Sequence, residues 1–194
     1  MRGWPRCRMM RTGRWGYVLL VLAAVAAVTS SIEMTGVDAV AAEPEMLATS
    51  AGAPVALGAV PVTVTLAPPT GKTLSARIAT VGQDRKVYLV AKGLGTDAPP
   101  ETIYQLYLGL PPGMAPRPDG IHYVGALNFF NVVGRDAGAG RADPRFLSFD
   151  VTGLLRSLQS RNALGDSMTV TVVPAGTPRA GVRPVIGEIA LVAQ

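Results

Sequence analysis

From residue 61 onward the chain breaks into short runs of β-branched and aromatic residues, each closed within a few positions by proline or glycine. The runs lie at 62–66, 76–81, 86–91, 103–110, 121–133, 145–151, 168–173 and 185–192. Their separators include Pro68-Pro69, Pro111-Pro112-Gly113 and the 174–184 stretch. Proline removes a backbone donor and fixes φ, and glycine admits turn conformations, so this punctuation prevents long helices and favours strands joined by turns. Eight such segments at fairly even spacing predict an all-β fold, an antiparallel β-sandwich of about seven to eight strands spanning 61–194. No strand–helix–strand alternation is present, which argues against a doubly wound nucleotide fold.

One segment has a helical period. Val151, Leu154, Leu155 and Leu158 recur at i, i+3, i+4 and i+7, with Asp150 or Thr152 as N-cap and Gly165 beyond the end. A short amphipathic helix is expected over about 152–161, packed on the sandwich.

The first 42 residues have a different character. Arg2, Arg6, Arg8, Arg11 and Arg14 precede an uncharged span from residue 15 to 32. As an apolar helix that span is about 27 Å long, close to the thickness of a bilayer core. With Ala39-Val40-Ala41-Ala42 following as a cleavage site, residues 1–42 are expected to be a signal peptide or a retained membrane anchor through 15–32. Either sends the remainder out of the cytoplasm, secreted, periplasmic or anchored to the outer face of the cytoplasmic membrane, because the arginines stay inside. Residues 43–60, rich in small residues with Pro and Gly, are expected to be a flexible linker.

The leader also explains the charge. The whole chain has 18 basic and 13 acidic residues. Five of the basic and two of the acidic ones lie in residues 1–42, leaving 13 and 11 in the remainder. A net charge near +2 does not favour a nucleic-acid partner.

Chemistry-bearing residues are few. The chain has one histidine, His122, and one cysteine, Cys7 in the leader, so no His-rich or Cys-rich metal site and no internal disulfide can form. Ser148, His122 and Asp150 do not make a plausible triad, since Ser148 and Asp150 are two apart on one strand and no nucleophile elbow is present. Gly71-Lys72-Thr73 resembles the end of a phosphate loop, but Leu66 stands where the motif requires its first glycine. The 134–141 loop, with three glycines and two arginines, reads as a hairpin connection, and the scattered Asp119, Asp136 and Asp143 as loop acids. Met114 reads as a loop residue and Met168 as core, without the clustering that a soft copper site needs. No catalytic residue, metal ligand or cofactor is expected. Alternation in 103–108 divides Tyr104, Leu106 and Leu108 from Ile103, Gln105 and Tyr107. One face is core, and the other is open to a recognition role.

The order of segments carries more information than any one motif. Tyr104-Gln-Leu-Tyr-Leu-Gly-Leu-Pro111 is followed by Tyr123-Val-Gly-Ala-Leu-Asn-Phe-Phe-Asn-Val132, then Phe146-Leu-Ser-Phe-Asp-Val-Thr-Gly-Leu-Leu155. Ser167-Met-Thr-Val-Thr-Val-Val-Pro174 and Val185-Ile-Gly-Glu-Ile-Ala-Leu191 complete the series. Over about 86–192 this succession resembles the C-terminal domain of plant polyphenol oxidases and related bacterial tyrosinase-like proteins. Phe149-Asp150-Val151 echoes a strand word of that family but falls just before the helix. The histidine that commonly follows the second of these strands is absent.

The resemblance implies a stand-alone accessory domain. A type 3 dicopper site needs six histidines, so this chain is not expected to be an oxidase. The partner implied is a separately encoded tyrosinase-like copper enzyme, which the domain would shield, stabilise or help to mature. The shielding surface implied, chosen by position in loops and strand ends, is Leu110, Pro111, Pro112, Met114, Tyr123 and Phe130. The competing expectation is a cell-envelope adhesion or carbohydrate-binding domain.

Overall fold

The computed structural model describes residues 43–50, 52, 54–69, 71–129, 132 and 146–194. The expectations for residues 1–42, for the 134–141 loop and for Phe130 lie outside the described residues. Among the described residues no helix is long and apolar enough to cross a membrane.

Ten strands and two helices are described, in the order β1 Glu45–Ser50, β2 Val55–Ala56, β3 Val62–Ala67, α1 Leu74–Ala79, β4 Val87–Lys92, β5 Tyr104–Leu108, β6 Tyr123–Leu127, β7 Phe146–Asp150, α2 Thr152–Ser160, β8 Met168–Pro174, β9 Val185–Ile186 and β10 Glu188–Ala193. Eight of the strands form one antiparallel sheet in the order β6-β5-β8-β3-β1-β10-β4-β7, while β2 and β9 pair as a separate ribbon. The all-β antiparallel fold agrees with the sequence pattern, as does α2. The sheet is continuous and curls until its two edge strands approach each other, giving a nearly barrel-like form. At the approach Gly125 of β6 faces Phe149 of β7, and a Cβ on Gly125 would lie 2.6 Å from two ring carbons. Only a residue without a side chain lets these edges come so close.

The sheet's inner side holds the core. Val87, Leu89 and Ala91 point inward from β4 while Tyr88, Val90 and Lys92 alternate outward. Leu47, Leu66, Leu106, Val170 and Leu191 from five other strands meet them. Each such burial contributes about 1.5–3 kcal/mol relative to exposure. On α2, Leu155 and Leu158 are buried against the same core and Leu154 is half-buried, so the predicted apolar stripe is the packed one.

Two expectations are corrected. The linker assigned to 43–60 contains β1, which sits between β3 and β10 inside the sheet, with Leu47 and Ala48 fully buried. The register skips Leu47 opposite β10, a bulge that turns two consecutive residues away from solvent and destroys the alternation that would identify a strand. Glu45 fixes the start of β1 by pairing with Arg77 at 3.4 Å and Arg85 at 3.1 Å, and Arg85 also donates to the Glu43 and Ala193 carbonyls.

The strand expected at 76–81 is instead largely α1. Thr73 Oγ1 accepts from the Ala76 N–H at 3.2 Å, and Leu74 and Ile78 bury one face at i, i+4. Gly71-Lys72-Thr73 is thus the entry to a short helix.

Candidate functional site

Of the shielding residues expected from the sequence, Leu110, Pro111, Pro112, Met114 and Tyr123 lie in or beside the connection from β5 to β6. Residues 111–121 are exposed throughout, yet two turns give the loop a defined course. In Pro111-Pro112-Gly113-Met114 the Met114 N–H donates to the Pro111 carbonyl at 3.1 Å, and Gly113 has φ +79. Proline at the second position and positive φ at the third give the geometry of a type II turn, which requires Gly113. In Arg117-Pro118-Asp119-Gly120 the Gly120 N–H donates to the Arg117 carbonyl at 2.9 Å, and the Arg117 guanidinium makes two contacts of 3.2 Å with Asp119. Between and beside these turns Met114 is 51% and Ile121 50% exposed.

His122 closes the base of the loop. Its Nδ1 lies 3.0 Å from the Leu108 carbonyl, and the Leu108 N–H donates to the His122 carbonyl at 2.8 Å. A carbonyl only accepts, so Nδ1 carries the hydrogen, and in the neutral ring Nε2 presents a lone pair. His122 therefore ties the end of β5 to the start of β6, as a hydrogen-bonded histidine.

Leu110, Pro111 and Pro112 meet His122, Leu158 and Arg161 around a cavity of about 360 Å³ at the foot of the loop. Met114 and Tyr123 do not line it. Tyr123 is half-buried, its ring 5.6 Å from that of Tyr107 at a steep angle. The structure thus brings three of the six expected residues into one site, leaves Met114 projecting from the loop and sends Tyr123 to an aromatic pair. Phe130 lies outside the described residues.

The recognition role left open for the second face of β5 is corrected. Tyr107 is fully buried and its hydroxyl donates to Gln105 at 2.8 Å, so only Ile103 of that face is exposed. Burial, with Tyr123 and Asp119 nearby, pushes the Tyr107 hydroxyl pKa upward. Tyr104, on the core face, stacks edge-on against Phe129 at 5.9 Å, and its hydroxyl is buried without a hydrogen-bond partner among the described residues. Burial raises its pKa as well.

The remaining candidates have structural roles. Asp150 accepts from the Thr152 N–H at 3.0 Å and pairs with Lys86 at 3.2 Å, and these partners hold its carboxyl below the usual range, Thr152 most strongly. Met168 is buried in the core. Among the described residues no group of three or more His, Cys, Asp or Glu side chains is placed to hold a metal ion.

Two features escaped sequence reasoning. The outer face of β1, β10, β4 and β7 forms a groove of about 630 Å³ lined by Met46, Tyr88, Val90, Lys92, Phe146 and Val192, with Phe146 57% exposed. Alternation marks Tyr88, Val90 and Phe146 as one side of their strands, but only strand order makes them neighbours. A second cleft of about 440 Å³ lies between α1 and α2, where Arg156 donates to the Gln83 carbonyl at 2.9 Å.

A family model described as "Domain of unknown function (DUF7868)" matches residues 43–194. No curated protein matches the chain. Among solved structures, latent apple tyrosinase is similar at 19% identity and a TM-score of 0.48, over 72% of this chain and 27% of that one. Recombinantly expressed latent aurone synthase, a polyphenol oxidase, is similar at 17% identity and a TM-score of 0.43, over 72% and 25%. The same enzyme from its natural source gives 16% identity and a TM-score of 0.43, over 71% and 25%. The chain spans about a quarter of the length of these structures.

Proposed function

The chain belongs to the family described as "Domain of unknown function (DUF7868)", and we propose that its domain is a non-catalytic interaction module that shields, stabilises or helps to mature a separately encoded tyrosinase-like copper enzyme. The carrying observation is the β5–β6 loop, in which residues 111–121 are exposed and two turns present Met114 and Ile121 to solvent. Large apolar side chains held outward on a structured loop are the type of group that anchors a protein contact. The five ordered sequence segments support the same reading, because they resemble an accessory domain rather than a catalytic one. The single histidine of this sequence cannot supply the six that a dicopper site requires, so oxidase chemistry would reside in the partner. Export led by residues 1–42, cleaved or retained as an anchor, belongs to the same proposal.

The test combines the full chain with the tyrosinase-like enzyme from the same cell. Co-purification, together with a change in enzyme activity that Met114→Glu abolishes, is the expected result. An enzyme that neither co-purifies nor changes activity refutes the reading.

One observation favours a second reading, a carbohydrate-binding domain: Tyr88 and Phe146 flank the outer groove beside the hydroxyl of Ser148 and the amine of Lys92. Binding of cell-envelope polysaccharide that Phe146→Ala removes and Met114→Glu leaves intact would identify it.

A further inference from the structure

We propose that the cavity at the foot of the β5–β6 loop binds the carboxyl end of a peptide chain that terminates in an apolar residue. Three groups define this ligand. The first is His122, 8% exposed, which lines the cavity. Its Nδ1 is committed to the Leu108 carbonyl, and Nε2, the acceptor, has no hydrogen-bond partner among the described residues. In the neutral ring its lone pair accepts from an N–H or O–H donor. The second is Arg161, just past the end of α2, whose guanidinium has neither an ion pair nor a hydrogen bond among the described residues. A guanidinium matches a carboxylate through paired N–H donors.

The third is the apolar wall of Leu110, Pro111, Ile121, Leu158 and Met168. A cavity of about 360 Å³ is of the size that small ligands occupy. An acceptor, a cation and an apolar wall in one cavity complement the three parts of a terminal residue: its backbone N–H, its carboxylate and its side chain. Capture of a chain terminus is a recurrent mode of peptide recognition. A free apolar acid would satisfy Arg161 and the wall and leave His122 unpaired. This site names the chemistry of a partner's anchor, and so rests on the interaction-module reading.

The experiment uses calorimetric titration of the purified full chain, with no copper enzyme present, so failure here and failure of the enzyme reading are seen separately. The probe is acetyl-Ala-Ala-Ala-Leu with a free carboxyl group. It is expected to bind, and its C-terminal amide to bind about tenfold more weakly or worse, because the charged hydrogen bonds are lost. Removing the N–H, as in 4-methylpentanoate, is expected to weaken binding to a similar degree. Arg161→Gln, at an exposed position, keeps the circular dichroism of the parent and loses the discrimination between acid and amide. Absence of binding by the free-acid peptide overturns the proposal. So does equal binding of acid and amide, or 4-methylpentanoate binding as tightly as the peptide.

Discussion

Replacing Gly125 by alanine tests whether the curled sheet is held at its edges by the contact between β6 and β7. The added Cβ would lie 2.6 Å from Cδ1 and Cε1 of Phe149. Carbon atoms pack best at about 3.5–4.0 Å, so the approach is about 1 Å too close. Both atoms belong to one rigid ring, and Phe149 itself packs against the core. Relief therefore requires the ring to leave its position or the two strands to separate. Overpacking of this kind costs about 1–3 kcal/mol. Alanine recovers about 0.5–1 kcal/mol because glycine loses more chain entropy on folding. The net expectation for Gly125→Ala lies between no change and a loss of about 2.5 kcal/mol, centred near about 1 kcal/mol, a fall of about 2–4 °C in Tm for a domain of this size. Denaturant unfolding should show a lower midpoint with an unchanged slope. The decisive measurement is the double-mutant cycle with Phe149→Ala, which loses about 2–3 kcal/mol by itself through lost burial. With the ring gone, the alanine at 125 has room, and the double variant should be about 1 kcal/mol or more stabler than the sum of the singles. Additivity within about 0.5 kcal/mol refutes the contact as the cause, because uncoupled sites add to that precision.

Other perturbations probe separate parts of the molecule. Thr73→Ala removes the hydroxyl that accepts from the Ala76 N–H and should cost about 1 kcal/mol in thermal unfolding, while Thr73→Ser should restore most of it. Tyr104→Phe removes a buried hydroxyl that has no partner among the described residues, so it should be neutral or stabilise by about 1 kcal/mol; a marked loss on denaturation would show that the hydroxyl has a partner. Asp150 has a depressed pKa in the folded state, chiefly through Thr152, so its contribution is complete above the ordinary carboxylate value of 3.8 and is lost as pH falls below it toward the folded value. Asp150→Asn should therefore flatten the acid limb of a stability-against-pH curve, and an unchanged limb would contradict that role.

How much could be read without coordinates varied with how local each cue was. The strands at 62–66 and 86–91 were legible because threonine and valine alternate in the first and Val87, Leu89 and Ala91 mark one side of the second. Helix α2 was legible because its four apolar positions share one helical face. α1 is six residues long and starts from a threonine cap, too short for a period to outweigh its β-branched neighbours. β1 has no β-branched run, only Met46 and Leu47 among small and polar residues around a bulge, so neither composition nor alternation identified it. The break between the runs at 103–110 and 121–133 followed from its proline and glycine pattern, and Pro112-Gly113 determines the turn that carries Met114.

By itself, the sequence determined the all-β class, the amphipathic helix α2, the turn chemistry of the β5–β6 loop and the lack of histidines for a dicopper site, because each depends on residue type or on spacing within a few positions. The tertiary structure decided the strand order, which inserts β1 between β3 and β10 and joins residues more than 100 positions apart. It also decided that Tyr107 is covered while Met114 is not, and that His122 and Arg161 share a cavity. The physical reason is that pairing and burial depend on which surfaces meet after the chain has closed on itself, and local spacing does not encode that meeting.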